Sequence, residues 1–213
     1  VALSLSGINF ISEEFKKSNI KSPILILTKG LKYEKKKQKI FTISEDIKKT
    51  NKNKGIFITF EGGEGSGKST QIQKLKNNIL GFISDVEIVI SREPGGTEVA
   101  EQIREILVNG EADKLSVRTE TLLMIAARAE HIDRVILPAI KRGAIVLCDR
   151  FIDSTIVYQG IAGKVDESSL LQLHNTYCYD LYPSLTFFLN LDPLVGLKRA
   201  KERLDQRESR FEN

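Results

Sequence analysis

At 213 residues the chain has room for one domain of ordinary size and an appendage. Its 41% hydrophobic content is enough for a packed core, and no apolar run approaches the roughly 20 residues that span a bilayer. The net charge of +4 is uneven: residues 1–54 hold 13 Lys, no Arg and 5 acids, so the remainder is acidic on balance, which argues against a nucleic-acid surface there.

Residues 1–54 read as a basic, solvated N-terminal extension with no part in the chemistry, against the alternative of a basic tail that touches nucleic acid or an acidic partner. Val1 to Phe10 lack the cationic head and sustained apolar segment of a signal peptide. Pro23 to Thr28 could form a short strand, Lys32 to Lys39 is a lysine cluster, and Ser44 to Lys54 is linker-like. From Gly55, strands alternate with helices, the pattern of a parallel sheet. Ile56–Glu61 is a strand. Lys68–Leu80 is a helix with Ile72, Leu75 and Ile79 on one face and Gly81 as its stop. Val86–Ser91 is the second strand, and Thr97 can cap a helix that buries Ala100, Ile103 and Leu107. A long helix is expected over Val117–Arg142, with a break or kink at Pro138. Ala144–Cys148 is a strand buried on both faces, Asp166–Tyr179 a helix, and Leu185–Leu191 the fourth strand. Asp192-Pro193 then starts a helix, with Pro at its first position. Cys148 and Cys178 are too far apart in sequence for a C-x-x-C site and read as reduced thiols of a cytoplasmic protein. His131 and His174 fall within helices and read as structural.

Gly62-Gly63-Glu64-Gly65-Ser66-Gly67-Lys68-Ser69 fits the phosphate-loop pattern G-x-x-x-x-G-K-[ST], and it lies between a strand and a helix as that motif requires. Its glycines let backbone N–H groups and the helix N-terminus face an anion. Lys68 can reach the β- and γ-phosphates of ATP, Ser69 can ligate Mg²⁺, and Thr70 completes the stretch of the ATP site. Asp149-Arg150 follows the Ala144–Cys148 strand, at the carboxyl edge where open parallel sheets bind ligands. Asp149 could hold Mg²⁺ through water and Arg150 could clamp a phosphate. A phosphate monoester, largely deprotonated at pH 7, needs no general base as acceptor. Many arginines and two histidines suit that acceptor better than a hydroxyl.

These motifs, with Arg92-Glu93-Pro94-Gly95-Gly96-Thr97, Thr119 to His131, Asp149 to Gly160 and Leu185 to Ala200, resemble the thymidylate kinases, of the bacterial type, from Gly55 to Asn213. The resemblance implies an α/β P-loop fold with a parallel sheet of order 2-3-1-4-5, helices on both faces and its last strand beyond Asn213. It implies transfer of the γ-phosphoryl group of ATP to dTMP with Mg²⁺, in a cytoplasmic homodimer without nucleic-acid or membrane partners. The 117–142 helix is then a candidate interface. By the same likeness Glu64 meets the 3′-hydroxyl of dTMP, while Arg104 and Arg150 surround its phosphate and Glu93 and Pro94 line the pocket. Arg128 meets a thymine carbonyl, and Ser154 and Thr155 lie beside the base edge. Tyr158 crowds the sugar C2′, and Gln159 borders the same site. Gly65 stands where the other branch of the family carries an arginine, so a lid must supply that cation. Arg210, in Ser209-Arg210-Phe211-Glu212, is the first choice for it and Arg203 the second. Met124 stands where many relatives stack a Phe on thymine. Two other readings compete: a kinase for dUMP or UMP, and a nucleotide-binding module without turnover. Tyr158 and Arg128 weigh against the first in disfavouring ribose and cytosine, and the intact Lys68, Ser69, Asp149 and Arg150 against the second.

Overall fold

The structure is a computed structural model that describes residues 24–28, 55–83, 85–109 and 114–202. Its strands are β1 (Ile24–Thr28), β2 (Ile56–Glu61), β3 (Ile88–Arg92), β4 (Ile145–Asp149) and β5 (Leu185–Asn190). All pair in parallel, in the order β1-β5-β2-β4-β3. The helices are α1 (Lys68–Phe82), α2 (Glu98–Val108), α3 (Val117–His131), α4 (Leu137–Lys141), α5 (Ile152–Thr155), α6 (Glu167–Tyr177) and α7 (Pro193–Glu202). None of these is long and apolar enough to cross a membrane.

Counting strands from β2, the order is the expected 2-3-1-4. The fifth lane, however, is taken by Ile24–Thr28, paired from Ile24 with Thr186 to Thr28 with Asn190. Part of the extension, Ile24–Thr28, therefore joins the sheet. An Ile-Leu-Ile-Leu run has the composition of a strand, and β5 presents it with an open edge of backbone donors and acceptors.

Alternation along β2 divides the core. Phe57 packs with Val146, Cys148, Ile125, Ile132, Ile136 and Phe151 on one face of the sheet. Ile58 and Phe60 pack with Ile145, Leu147, Phe187, Leu189, Ile72 and Ile79 on the other. Fully burying each large apolar side chain contributes roughly 1.5–3 kcal/mol. Thr97 caps α2 by accepting from Ala100 N–H at 3.1 Å, and Asp166 caps α6 through Ser169 N–H at 2.9 Å. The expected 117–142 helix is interrupted by a π-helical turn over Ile132–Ile136, in which Leu137 N–H bonds Ile132 O. Pro138, one residue later, cannot donate to the preceding turn, and widening that turn accommodates its ring.

The register places Phe60, Arg92 and Asp149 level across β2, β3 and β4. The three segments that carry the motifs thus leave the sheet side by side.

Candidate active site

The phosphate loop joins β2 to α1. Gly65 has a φ of 66° and Gly67 one of 93°, both left-handed. A Cβ on Gly65 would lie 2.1 Å from the Gly196 carbonyl oxygen at the start of α7, so this contact as well as the turn requires glycine. Lys68 Nζ folds back over the loop, donating to Gly62 O at 3.1 Å and Gly63 O at 3.2 Å, and lies 3.8 Å from Asp149 Oδ1. Burial, followed by the charge of Arg150, lowers the Lys68 pKa.

Ser69 Oγ donates to Asp149 Oδ2 at 3.3 Å, and the buried Asp149 Oδ1 has no hydrogen-bond partner. A hydroxyl and a carboxylate with a spare oxygen fit Mg²⁺, a hard cation that keeps water and phosphate as its remaining ligands. Thr70 is exposed on α1.

Arg150 has a φ of 70°, uncommon for a residue with a side chain. Its N–H donates to Phe60 O at 2.9 Å, and its carbonyl accepts from Cys148 Sγ at 3.2 Å, which holds the turn. The guanidinium donates through Nη1 to Ser154 Oγ and through Nη2 to Glu64 Oε2, each at 3.2 Å, and lies 5.5 Å from the centroid of the Tyr158 ring. Burial alone would raise the Glu64 pKa, but Lys68 and Arg150 outweigh it and lower it.

Beside the loop is a pocket of about 610 Å³, counting its open mouth. Glu64, Glu93, Pro94, Arg104, Met124, Arg150, Ser154, Tyr158 and Gln159, all singled out from sequence, line it, and Val108 and Phe151 join them. Arg104 Nη1 donates to Pro94 O at 3.1 Å. Arg128 and Thr155 lie among the buried residues, joined by a bond from Nη2 to Oγ1 of 2.8 Å. Arg128 Nε donates to Glu93 Oε2 at 2.7 Å, and its ring neighbour is Phe151 at 5.0 Å. Two buried polar atoms here have no partner: the donor Arg128 Nη1 and the acceptor Gln159 Oε1. Arg203 and Arg210 lie outside the described residues.

Two residues in this region, Glu61 and Asp153, were not apparent from sequence, and a third, His131, was read there as structural. Glu61, the last residue of β2, accepts from Phe151 N–H and Ser154 Oγ–H, both at 2.7 Å. Burial and then the nearby Asp153 raise its pKa from 4.5 to about 8, against the lowering effect of Ser154, Arg150 and the Phe151 N–H. Asp153 itself is raised by burial. His131 is fully buried against Glu93. A carboxylate next to Gly62 was the available signal for Glu61.

A family model described as thymidylate kinase matches residues 60–213. The chain is 52% identical over 149 residues to the thymidylate kinase of Caulobacter vibrioides, covering 70% of this chain and 71% of that one. It is likewise 52% identical over 158 residues to that of Magnetococcus marinus, covering 74% of each. Among solved structures it is similar to a thymidylate kinase from Ehrlichia chaffeensis, with a TM-score of 0.61 and 39% identity over 70% of this chain and 78% of that one.

Proposed function

The chain belongs to the thymidylate kinase family, and from that premise we propose how its residues share the transfer of the γ-phosphoryl group of ATP to dTMP. The products are dTDP and ADP. Gly62 to Thr70 cradle the ATP phosphates, and Lys68 follows the charge of the migrating group. Ser69 and Asp149 would hold Mg²⁺, which supplies neutralisation of phosphate charge when bound. Arg150 and Arg104 clamp the acceptor phosphate, whose own oxygen attacks without a base. Glu64 takes the 3′-hydroxyl, Tyr158 limits the room at C2′, and Met124 offers the base an apolar contact. Glu93, Pro94, Ser154 and Thr155 complete the acceptor pocket. Arg128 Nη1 and Gln159 Oε1, a spare donor and a spare acceptor, suit the carbonyl and N–H of a thymine edge. Arg210, with Arg203 second, supplies the lid cation that Gly65 does not.

A single arrangement carries this reading. The Lys68–Asp149 contact of 3.8 Å and the Arg150–Glu64 contact of 3.2 Å lie side by side, because Asp149 and Arg150 are consecutive. A donor phosphate on the loop and an acceptor phosphate on Arg150 would then face each other, held by cations against their repulsion. The kinase unit is taken to begin at Gly55 and to act as a cytoplasmic homodimer on ATP and dTMP, with no nucleic-acid or membrane partner.

The test is ADP release with dTMP, dUMP, UMP and dCMP as acceptors. dTMP should be preferred, Lys68→Ala should abolish turnover, and Arg210→Ala should lower kcat on the order of 10²-fold. Lys68→Ala retaining a third of wild-type turnover would remove the loop from the mechanism, and an unchanged Arg210→Ala would remove the lid arginine.

A further inference from the structure

His131 lies at the end of α3, one helical turn after Arg128, so both side chains reach the same point. That point is the Glu93 carboxylate. Its Oε2 accepts from Arg128 Nε at 2.7 Å and its Oε1 is 3.0 Å from His131 Nδ1. An ionised carboxylate only accepts, so Nδ1 carries the proton. Burial works against ionisation of Glu93, but Arg128 and then His131 outweigh it and lower its pKa. The other ring nitrogen, Nε2, is 2.6 Å from Ser91 Oγ on β3. The ring edge is packed just as closely: a Cβ on Gly96 would come within 2.5 Å of His131 Cδ2. The imidazole therefore has one orientation, fixed by β3 on one side and the 93–97 loop on the other.

We propose that His131 is a positioning residue for base recognition: by holding Glu93 Oε1 it fixes the plane of Arg128 and keeps Nη1 as the unpartnered guanidinium nitrogen, available to a ligand carbonyl. The reasoning turns on what Glu93 would do without it. Carboxylate and guanidinium favour a two-point fork. With Oε1 released, Glu93 can rotate to close that fork and turn the guanidinium away from its present plane. His131 occupies Oε1, Thr155 occupies Nη2, and Nη1 is the donor left over. The ligand chemistry selected is a pyrimidine with a carbonyl at position 4, as in thymine. Cytosine, with an amino group there, would set donor against donor. This inference rests on the reading of Arg128 as the base-contacting residue.

The experiment compares His131→Leu, which keeps bulk but not the donor, with His131→Asn, whose amide nitrogen can take the place of Nδ1. Both lose the bond to Ser91. His131→Leu should lower kcat/KM for dTMP at least tenfold and cut the dTMP over dCMP preference by a similar factor, with the KM for ATP unchanged. His131→Asn should recover most of that preference. Arg128→Ala is measured in the same series. If it keeps the dTMP preference, the base-contact reading fails. If it loses the preference and His131→Leu does not, or if Asn rescues no better than Leu, only the positioning inference fails. Should His131→Leu not fold, nitrogen-15 NMR of imidazole-labelled wild-type protein decides. A protonated Nδ1 that shifts on adding thymidine supports the role, and an Nδ1 without a proton, or one that does not shift, overturns it.

Discussion

Ser154 makes two hydrogen bonds that its sequence position does not reveal. Its hydroxyl has one hydrogen, and Arg150 can only donate to it, so that hydrogen is directed to Glu61. Ser154 thus ties the guanidinium to the end of β2. Ser154→Ala should weaken dTMP binding roughly tenfold and leave thymidine, which has no phosphate, nearly unaffected. Calorimetry with both ligands separates this from a contact to the base, which would weaken both alike. A second residue-scale expectation concerns His174, whose buried Nε2 donates to Leu181 O at 2.8 Å. Burial, then Arg128, lowers its pKa from 6.5 to about 4. Between those values the unfolded chain binds a proton that the folded protein does not. Stability from this group is present above pH 6.5 and is lost as pH falls towards 4, on the order of 3 kcal/mol in full. Glu61, raised to about 8, contributes with the opposite sign from pH 4.5 upward, so the wild-type profile mixes the two. Subtracting a His174→Gln profile isolates the histidine. A difference that is flat from pH 4 to 6.5 would show that His174 is not held neutral. The motif residues were legible because their chemistry is local: a glycine loop, a lysine, a carboxylate beside an arginine. Glu61 and His131 were not, because their partners are 90 and 38 residues away and only the sheet brings them together.

Most strands and helices of the kinase unit were readable from period and caps, with ends that moved by a few residues, but α5 and the turn after it were not among the expected elements. The π-helical turn was less readable, because apolar spacing alone does not tell a widened turn from a regular one. The turn after α5, Ile156–Ala162, is of the same wide kind, and it carries Tyr158 and Gln159 into the pocket. The placement of β1 was the least legible feature. A five-residue apolar run identifies a strand, but its lane is chosen by whichever edge is open. Deleting residues 1–54 should therefore leave turnover within about twofold at temperatures where the protein is folded, because the site is built on β2, β3 and β4. It should also lower Tm on the order of 5 °C, since β5 loses a five-residue ladder. Thermal unfolding by circular dichroism beside the ADP-release assay tests both parts. An unchanged Tm would mean that β1 adds nothing to the sheet, and loss of turnover in a folded truncation would give it a role at the site.

At the scale of the whole molecule, α3 has two contrasting faces. Inward it buries Thr121, Met124, Ile125 and Arg128, of which Met124 and Arg128 are the two proposed above for the acceptor site. Outward it presents Thr119, Leu122 and Ala126, one helical stripe, with Leu122 59% exposed. The neighbouring α2 exposes Val99 and Ile106 as well. Exposed apolar side chains on adjoining helices, with a small residue that lets a second helix approach closely, suit a symmetric contact between two copies. If α3 meets its counterpart there, assembly and base recognition share one rigid element. Leu122→Lys would place a buried, unpaired charge in such a contact twice over, once from each copy. Sedimentation velocity should then show a fall from dimer to monomer mass. The KM for dTMP should rise severalfold with the ATP KM unchanged, because Met124 and Arg128 lie on the opposite side of the helix that loses its support. A wild-type protein that sediments as a monomer would remove the interface altogether. A variant that becomes monomeric with an unaltered KM for dTMP would uncouple α3's outward face from the site on its inward one.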